Sequence, residues 1–124
     1  MVRRLLQVVL CLGALTIVLT CAKTKTAKGV MVVENGQTRI VTMSLQEGPG
    51  NVTELPLLWD PGMVVLFRTT ETVKPLPALK VPEGETGKAG EAYVVTDDYK
   101  LRKIGEFDLK KSDQELAPRF MEYK

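Results

Sequence analysis

Histidine is absent from this 124-residue chain, and cysteine occurs only twice, at Cys11 and Cys21. Ser-His-Asp triads and Cys-His nucleophile pairs need an imidazole, so the sequence excludes both. Most zinc, copper and haem sites use histidine or cysteine ligands, and dithiol redox chemistry needs paired thiols. We therefore predict no cofactor and no metal site. Any enzymatic activity would depend on carboxylate, lysine, tyrosine or backbone groups.

Aromatic residues are also scarce, with three phenylalanines, three tyrosines and one tryptophan. A hydrophobic core must therefore consist mainly of aliphatic side chains. Acidic residues are frequent but hardly grouped, and the pair Asp97-Asp98 has an ordinary explanation as a turn. Neighbouring residues on an extended strand point to opposite faces, so this pair is not expected to form an acid–base site. We predict no catalytic residues.

The N-terminal segment is the most distinctive part of the chain. Arg3 and Arg4 precede an apolar run from Leu5 to Leu19, and the polarity changes abruptly at Lys23. A short basic start, an apolar run and small residues at its exit are typical of a secretory signal. We therefore predict that the chain is exported across the cytoplasmic membrane.

The end of this signal resembles a bacterial lipobox, the processing signal of bacterial lipoproteins. The four residues are Val18-Leu19-Thr20-Cys21, with the cysteine at the change of polarity. The resemblance implies that Cys21 is lipidated and becomes the first residue of a protein anchored in the membrane of the cell envelope. Several acyl chains give stable attachment where a single chain would be marginal. The resemblance covers residues 1–21 and names no domain family.

Two other outcomes are compatible with the same segment. Ordinary signal-peptidase cleavage after Ala22 would give a soluble periplasmic or secreted protein. The 18 residues from Leu5 to Ala22 also reach the lower limit for a membrane-spanning helix, so the signal could remain as an uncleaved anchor. Arg3 and Arg4 would hold the N-terminus inside by the positive-inside rule, which leaves residues 23–124 outside.

Charges balance in the exported part. Without Arg3 and Arg4, the chain carries 15 basic and 15 acidic residues, so no nucleic-acid surface is expected. About 100 residues suffice for one domain with its own core. We predict a polar, basic tether over residues 22–28 and a single small β-rich domain over residues 29–124.

Strand and turn signals define the fold of that domain. Asn35-Gly36 lies between apolar runs and predicts a β-hairpin with a type I′ turn. Met63 to Phe67 is a continuous apolar run between turn signals, as expected for a central strand covered on both faces. A second hairpin is predicted over 91–107, and the Lys and Arg residues of its second arm favour an edge strand.

Near the C-terminus, Ser112 and Glu115 form the S-x-x-E pattern of a helix capping box. Because Pro118 follows closely, we expect a single helical turn, with Phe120, Met121 and Tyr123 as a small apolar clasp or a frayed tail. These signals together predict a mainly β fold, a small antiparallel barrel or sandwich with a short C-terminal helical turn.

Residues 71–90 are rich in proline and glycine and show no periodicity. We expect a loop that packs against the domain at its proline-rich end and is disordered at its glycine-rich end. Trp59, Leu76 and Leu79 are the candidate contacts for a protein partner, because a tryptophan and leucines near an extended segment are typical interface anchors. The other interpretation of Trp59 is a core residue that closes one end of the β-structure.

The sequence therefore predicts a lipid-anchored envelope protein that acts as a non-catalytic binding, scaffolding or assembly module. Its partners would be the membrane, through Cys21, and an envelope protein. The alternative is a periplasmic or secreted enzyme that uses carboxylates, or an inhibitor of such an enzyme. That alternative requires ionisable groups with raised pKa values converging in a cleft.

Overall fold

The computed structural model describes residues 24–48, 50 and 52–124. Cys21 and the apolar segment before it lie outside the described residues. The fold is mainly β with a short helix near the C-terminus, which confirms the predicted fold class. The elements are β1 (Lys25–Thr26), β2 (Gly29–Glu34), β3 (Gln37–Met43), β4 (Gln46–Gly48), β5 (Val52–Glu54), β6 (Met63–Phe67), β7 (Glu71–Thr72), a 3-10 helix (Pro77–Leu79), β8 (Thr86–Gly87), β9 (Glu91–Val95), β10 (Leu101–Glu106), α1 (Asp113–Arg119) and β11 (Glu122–Tyr123).

A five-stranded sheet forms the centre of the domain, in the order β10-β9-β6-β2-β3. Its pairs are antiparallel except β2 and β6, which run parallel. Gly29 of β2 lies opposite both Met43 of β3 and Met63 of β6. We call this end of the sheet the proximal end, because the chain enters β2 here. The distal end carries the turn between β2 and β3.

The predicted first hairpin is confirmed. Asn35 and Gly36 both have positive φ values, 50° and 78°, as a type I′ turn requires. The register between β2 and β3 shifts between Val30 and Met31, which lie opposite Thr42 and Ile40. Val41 is thus the extra residue of a β-bulge, and strict alternation along β3 stops there.

Both faces of the central sheet are covered, and every residue of β6 is buried, as predicted for a central strand. On one face, which we call the helix face, the core includes Val32, Val64 and Phe120. On the other, the loop face, it includes Met31, Phe67 and Trp59. The β-structure is therefore one layer of a sandwich in which α1 covers one side and long loops cover the other.

The helix begins as predicted, with both hydrogen bonds of the capping box between Ser112 and Glu115. It is longer than one turn and includes Pro118 in its last turn, although proline has no N–H group to donate to the carbonyl four residues earlier. Phe120 is buried, and β11 pairs with β1, so the C-terminal residues form a clasp. Ala27 is fully buried, and its N–H donates to Met121 O at 2.7 Å. Residues 25–28 of the predicted tether are thus part of the folded domain.

The expectation of disorder at the glycine-rich end of residues 71–90 is wrong. β7 and β8 form a two-stranded sheet, and Val73 N–H donates to Glu85 O at 2.7 Å. Gly87 is buried against the ring of Phe67. Glycine is used here for close packing rather than for flexibility, a role that composition does not distinguish.

The second long hairpin is also confirmed, with β9 and β10 joined by a turn that contains Asp97 and Asp98. β10 lies at one edge of the central sheet, as its Lys and Arg residues indicated. A shorter hairpin, β4–β5, extends from the proximal end of β3.

Candidate functional site

β3 forms the second edge of the central sheet, and among the described residues no strand pairs with its outer side. In a two-residue hairpin, the residues next to the turn form a hydrogen-bonded pair, and the following pair does not. Thr38, opposite Val33, and Ile40, opposite Met31, therefore direct their backbone N–H and C=O groups away from β2. This edge presents a ready template for another extended strand.

A groove of about 440 Å³ lies beside this edge on the loop face, and we call it the loop-side groove. Trp59 and Val73 are buried in its floor, whereas Leu76 is 53% exposed at its rim. Glu71 and Lys74 supply the nearby charges. The complete lining is Val33, Gly36, Thr38, Trp59, Glu71, Thr72, Val73, Lys74, Leu76 and Val81.

A second groove, of about 370 Å³, lies on the helix face of the same strand, and we call it the helix-side groove. The bulge turns both Val41 and Thr42 of β3 toward it. Ala117, Pro118 and Met121 form its other wall. Side chains of an added strand alternate between the two faces of a sheet, so the two grooves could accept successive side chains of one extended segment.

Charged residues hold the wall of the helix-side groove against β3. Asp113, the first residue of α1, accepts hydrogen bonds from Arg39 Nη2 at 2.7 Å and from Arg68 Nε at 2.9 Å. Arg68 also donates to the carbonyl oxygens of Leu109 and Lys111, at 2.9 and 2.6 Å. The loop before α1 and the helix start are thereby fixed to the sheet.

Burial is the largest single influence on the Asp113 carboxyl group and acts to raise its pKa. Hydrogen bonds and charge from Arg39 and Arg68 outweigh burial, so the pKa lies below its usual range. The carboxylate is therefore ionised at neutral pH and holds both guanidinium groups. The positive charge of Arg39, the charged residue of β3, is therefore neutralised within this network and does not oppose the addition of another strand at the β3 edge.

The structure brings two of the three predicted contact residues together. Trp59 and Leu76 line the loop-side groove, whereas Leu79, 41% exposed, lies outside its lining. Trp59 itself is only 5% exposed and belongs to the core of the loop face, which fits its interpretation as a core residue. The backbone N–H of Trp59 donates to Met31 Sδ at 3.2 Å. Leu76 is the accessible apolar contact at this site.

A separate cluster of ionisable groups lies on β9 and β10. The hydroxyl of Tyr93 donates to Glu91, and Lys103 Nζ lies 3.0 Å from the other Glu91 oxygen and 2.8 Å from Glu106. The hydrogen bond from Tyr93, followed by that from Lys103, lowers the pKa of Glu91. Burial, assisted by the bond to Glu91, raises the pKa of Tyr93. Both shifts move the groups away from neutrality, opposite to the tuning of a general acid or base.

Among the side chains that the structure describes, the carboxyl groups with shifted pKa values are Glu91, Asp98, Asp113 and Glu115, and all four pKa values are lowered. Within residues 24–48, 50 and 52–124, no group of three or more potential ligands could hold a metal ion. The same residues contain no helix that is both long and apolar enough to cross a membrane.

Comparison with known proteins gives no further assignment: no protein-family model, no curated protein and no solved structure matches this chain. The β3 edge was not predicted from the sequence. The relevant sequence feature of β3 is the adjacent apolar pair Ile40-Val41, in a strand whose single charged residue is Arg39. That pattern indicates a strand packed on both faces, but it does not indicate which strand lies at the edge.

Proposed function

We propose that this chain is a membrane-anchored protein of the bacterial cell envelope and that it acts as a non-catalytic binding or assembly module. Its partner contributes an extended polypeptide segment, which adds as a strand to the outer side of β3. The observation that carries this proposal is the outer edge of β3, which pairs with no strand in the described part of the chain and has a groove on each of its faces.

Backbone chemistry supports an extended polypeptide as the ligand. The outward N–H and C=O groups of Thr38 and Ile40 are complementary to another strand, and main-chain hydrogen bonds supply affinity in such complexes. Side chains then supply specificity. The loop-side groove offers the exposed Leu76 over a buried apolar floor, so apolar side chains in the partner segment are favoured.

The opposite edge is less suited to the same contact. β10 carries Arg102, which has no carboxylate within 4 Å among the described residues, and such a charge on an edge strand discourages strand addition. On β3, the positive charge of Arg39 is neutralised by Glu34 at 3.2 Å and by Asp113 at 2.7 Å. Lys103 on β10 is paired in the same way with Glu91 and Glu106, so the difference between the two edges rests on Arg102.

Site-specific photocross-linking in the native envelope tests the proposal. A photoreactive amino acid at position 38 should cross-link to one defined protein, and the same probe at position 102 should not. A cross-linked species with twice the mass of the chain would identify a second copy as the partner. Equal cross-linking from the two positions would overturn the proposed site.

Three substitutions refine this test. Thr38→Pro removes an outward N–H while leaving the inner hydrogen bonds of the hairpin, as proline does at strand edges. Leu76→Ser removes the apolar rim of the loop-side groove. Both should abolish cross-linking from position 40 without lowering the unfolding temperature appreciably. Leu79→Ser, a matched change of an exposed leucine outside the groove, should leave cross-linking intact.

The carboxylate-dependent enzyme is the second candidate from the sequence. It would be favoured by carboxyl groups with raised pKa values in a cleft, but the shifted carboxyl groups all have lowered pKa values. We therefore place the binding module first.

A further inference from the structure

Three aliphatic residues are exposed on or beside the short β4–β5 hairpin. Leu45 and Leu55 are each 62% exposed and Val52 is 58% exposed. Since Gln46 lies opposite Glu54, Leu45 and Leu55 flank the base of the hairpin, and Val52 lies near its tip, on the same face of β5 as Glu54. A single exposed leucine is ordinary, but several on one projecting hairpin mark a surface that contacts something apolar.

A basic groove of about 410 Å³ lies at the same end of the domain. Lys25, Lys28 and Arg102 line it together with a single acidic residue, Asp97. The guanidinium of Arg102 also lies 6.0 Å from the centre of the Tyr123 ring. The groove thus presents mainly positive charge beside an aromatic surface.

Lys28 connects the hairpin with the groove. Its carbonyl oxygen accepts from Ser44 N–H at 2.8 Å, one residue before Leu45, and its own N–H donates to Gly62 O at 2.9 Å. Lys28 also lines the basic groove. The exposed hairpin and the basic groove therefore lie side by side at the proximal end of the sheet.

The sequence before β1 brings this end to a membrane. Only three residues separate Cys21 from Lys25. Four residue steps of extended chain span at most about 14 Å, less than half the thickness of a bilayer. Whether the anchor is a lipid on Cys21 or an uncleaved apolar segment, the proximal end cannot move far from the membrane surface.

We propose that the proximal end lies on the bilayer as a second, non-covalent membrane contact. Leu45, Val52 and Leu55 enter the headgroup region, and Lys25, Lys28 and Arg102 face anionic phospholipid headgroups. Glu54, on the hairpin itself, limits penetration to this shallow layer. The domain then has a fixed orientation, with the distal turn pointing away from the membrane. This inference rests on the membrane attachment in the proposed function.

Fluorescence quenching by nitroxide-labelled lipids tests the contact. The full chain, with an environment-sensitive fluorescent amino acid at position 55, is reconstituted into vesicles of phosphatidylcholine and phosphatidylglycerol. The matched control carries the probe at position 109, where Leu109 is 46% exposed near the distal end. Position 55 should be quenched several-fold more strongly than position 109, and a second probe at position 52 should behave like the first.

The outcomes separate the two proposals. Equal quenching at positions 55 and 109, in a chain that floats with the vesicles, would overturn the second contact and leave the anchor intact. A chain that does not float with the vesicles would overturn the membrane attachment and the second contact together.

A charge-reversal pair tests the basic groove. Lys25→Glu with Lys28→Glu should reduce quenching at position 55 in the phosphatidylglycerol vesicles and have no effect in vesicles of phosphatidylcholine alone. The matched control, Lys110→Glu with Lys111→Glu at the distal end, should leave quenching unchanged. An equal effect of the two pairs would contradict a specific role for the groove.

Discussion

Gly87→Ala should destabilise the domain strongly, although the residue lies in a segment rich in turns. A Cβ atom at position 87 would lie 2.2 Å from Cε1 and 2.3 Å from Cδ1 of Phe67. The ring cannot easily move, because Phe67 is fully buried and packs edge-on against Tyr93 with centroids 5.4 Å apart. Overpacking of a core costs about 1–3 kcal/mol and occasionally more, and we expect a value of about 3 kcal/mol.

Urea unfolding followed by the fluorescence of Trp59, which is buried in the same core, measures this cost. Gly84→Ala is the matched control, since no atom lies within 4 Å of its Cβ position. Gly84→Ala should cost about 1 kcal/mol of unfolding free energy, because only the φ of 68° at this position is unfavourable for alanine. Phe67→Leu combined with Gly87→Ala should cost less than the sum of the single changes, because the smaller side chain relieves the clash. Equal losses at positions 84 and 87, or strict additivity in the double variant, would refute the packing argument.

Four further outcomes follow from individual contacts. Asp113→Asn should cost about 1–2 kcal/mol of unfolding free energy at neutral pH. The difference from wild type should shrink as the pH falls below about 4, because a carboxyl group with a lowered pKa stabilises the fold only while it is ionised. Trp59→Ala should cost about 3–5 kcal/mol, as expected for a core aromatic residue, in urea unfolding followed by circular dichroism because the variant lacks the only tryptophan. Gly36→Val should cost about 1 kcal/mol or more, since its φ of 78° is unfavourable for a β-branched residue. Cys21→Ser should abolish incorporation of labelled palmitate, and a mature protein that begins at Lys23 by mass spectrometry would contradict lipidation.

Local sequence signals predicted the local parts of the fold well. The Asn35-Gly36 turn, the central strand Met63–Phe67 and the capping box at Ser112 each depend on residues close together in the chain. In each case the conformation that the residues favour is the one found in the structure. These features follow from backbone sterics, burial on both faces and short-range hydrogen bonds.

The failures involve contacts between distant segments. Residues 71–90 lack periodicity because they cover a sheet face instead of forming a long strand, so composition alone indicated disorder. The sequence around Gly87 is typical of a loop, and its packing role becomes evident only in the fold, where it lies against Phe67, 20 positions away in the chain. The sequence of residues 25–28 is typical of a tether, but in the structure Lys25 pairs with Tyr123, near the opposite end of the chain.

The candidate site depends on such distant contacts almost entirely. β3 is an edge strand only because β6 pairs with β2 in parallel and β9 then pairs with β6, a topology that the sequence did not specify. The helix-side groove needs α1 beside β3, a contact fixed by Asp113 and Arg39 across 74 positions. The sequence could propose Leu76 as a contact residue, but only the fold relates it to a strand edge.

The two proposed surfaces place different demands on the same small domain. The proposed membrane contact uses the proximal end, whereas the β3 edge runs from that end toward the distal turn. The two proposals are therefore compatible: a strand would add to Thr38 and Ile40 while the β4–β5 hairpin lies on lipid. An anchored domain with a fixed orientation presents this edge at a constant height above the bilayer. That restriction raises the effective concentration of the edge for a partner that is itself held at the membrane, without any new contact between the two. The β3 edge should therefore bind a free peptide more weakly than it binds a membrane-held partner in the envelope. Mutating the β4–β5 hairpin should weaken binding to the membrane-held partner and leave the affinity for the free peptide unchanged.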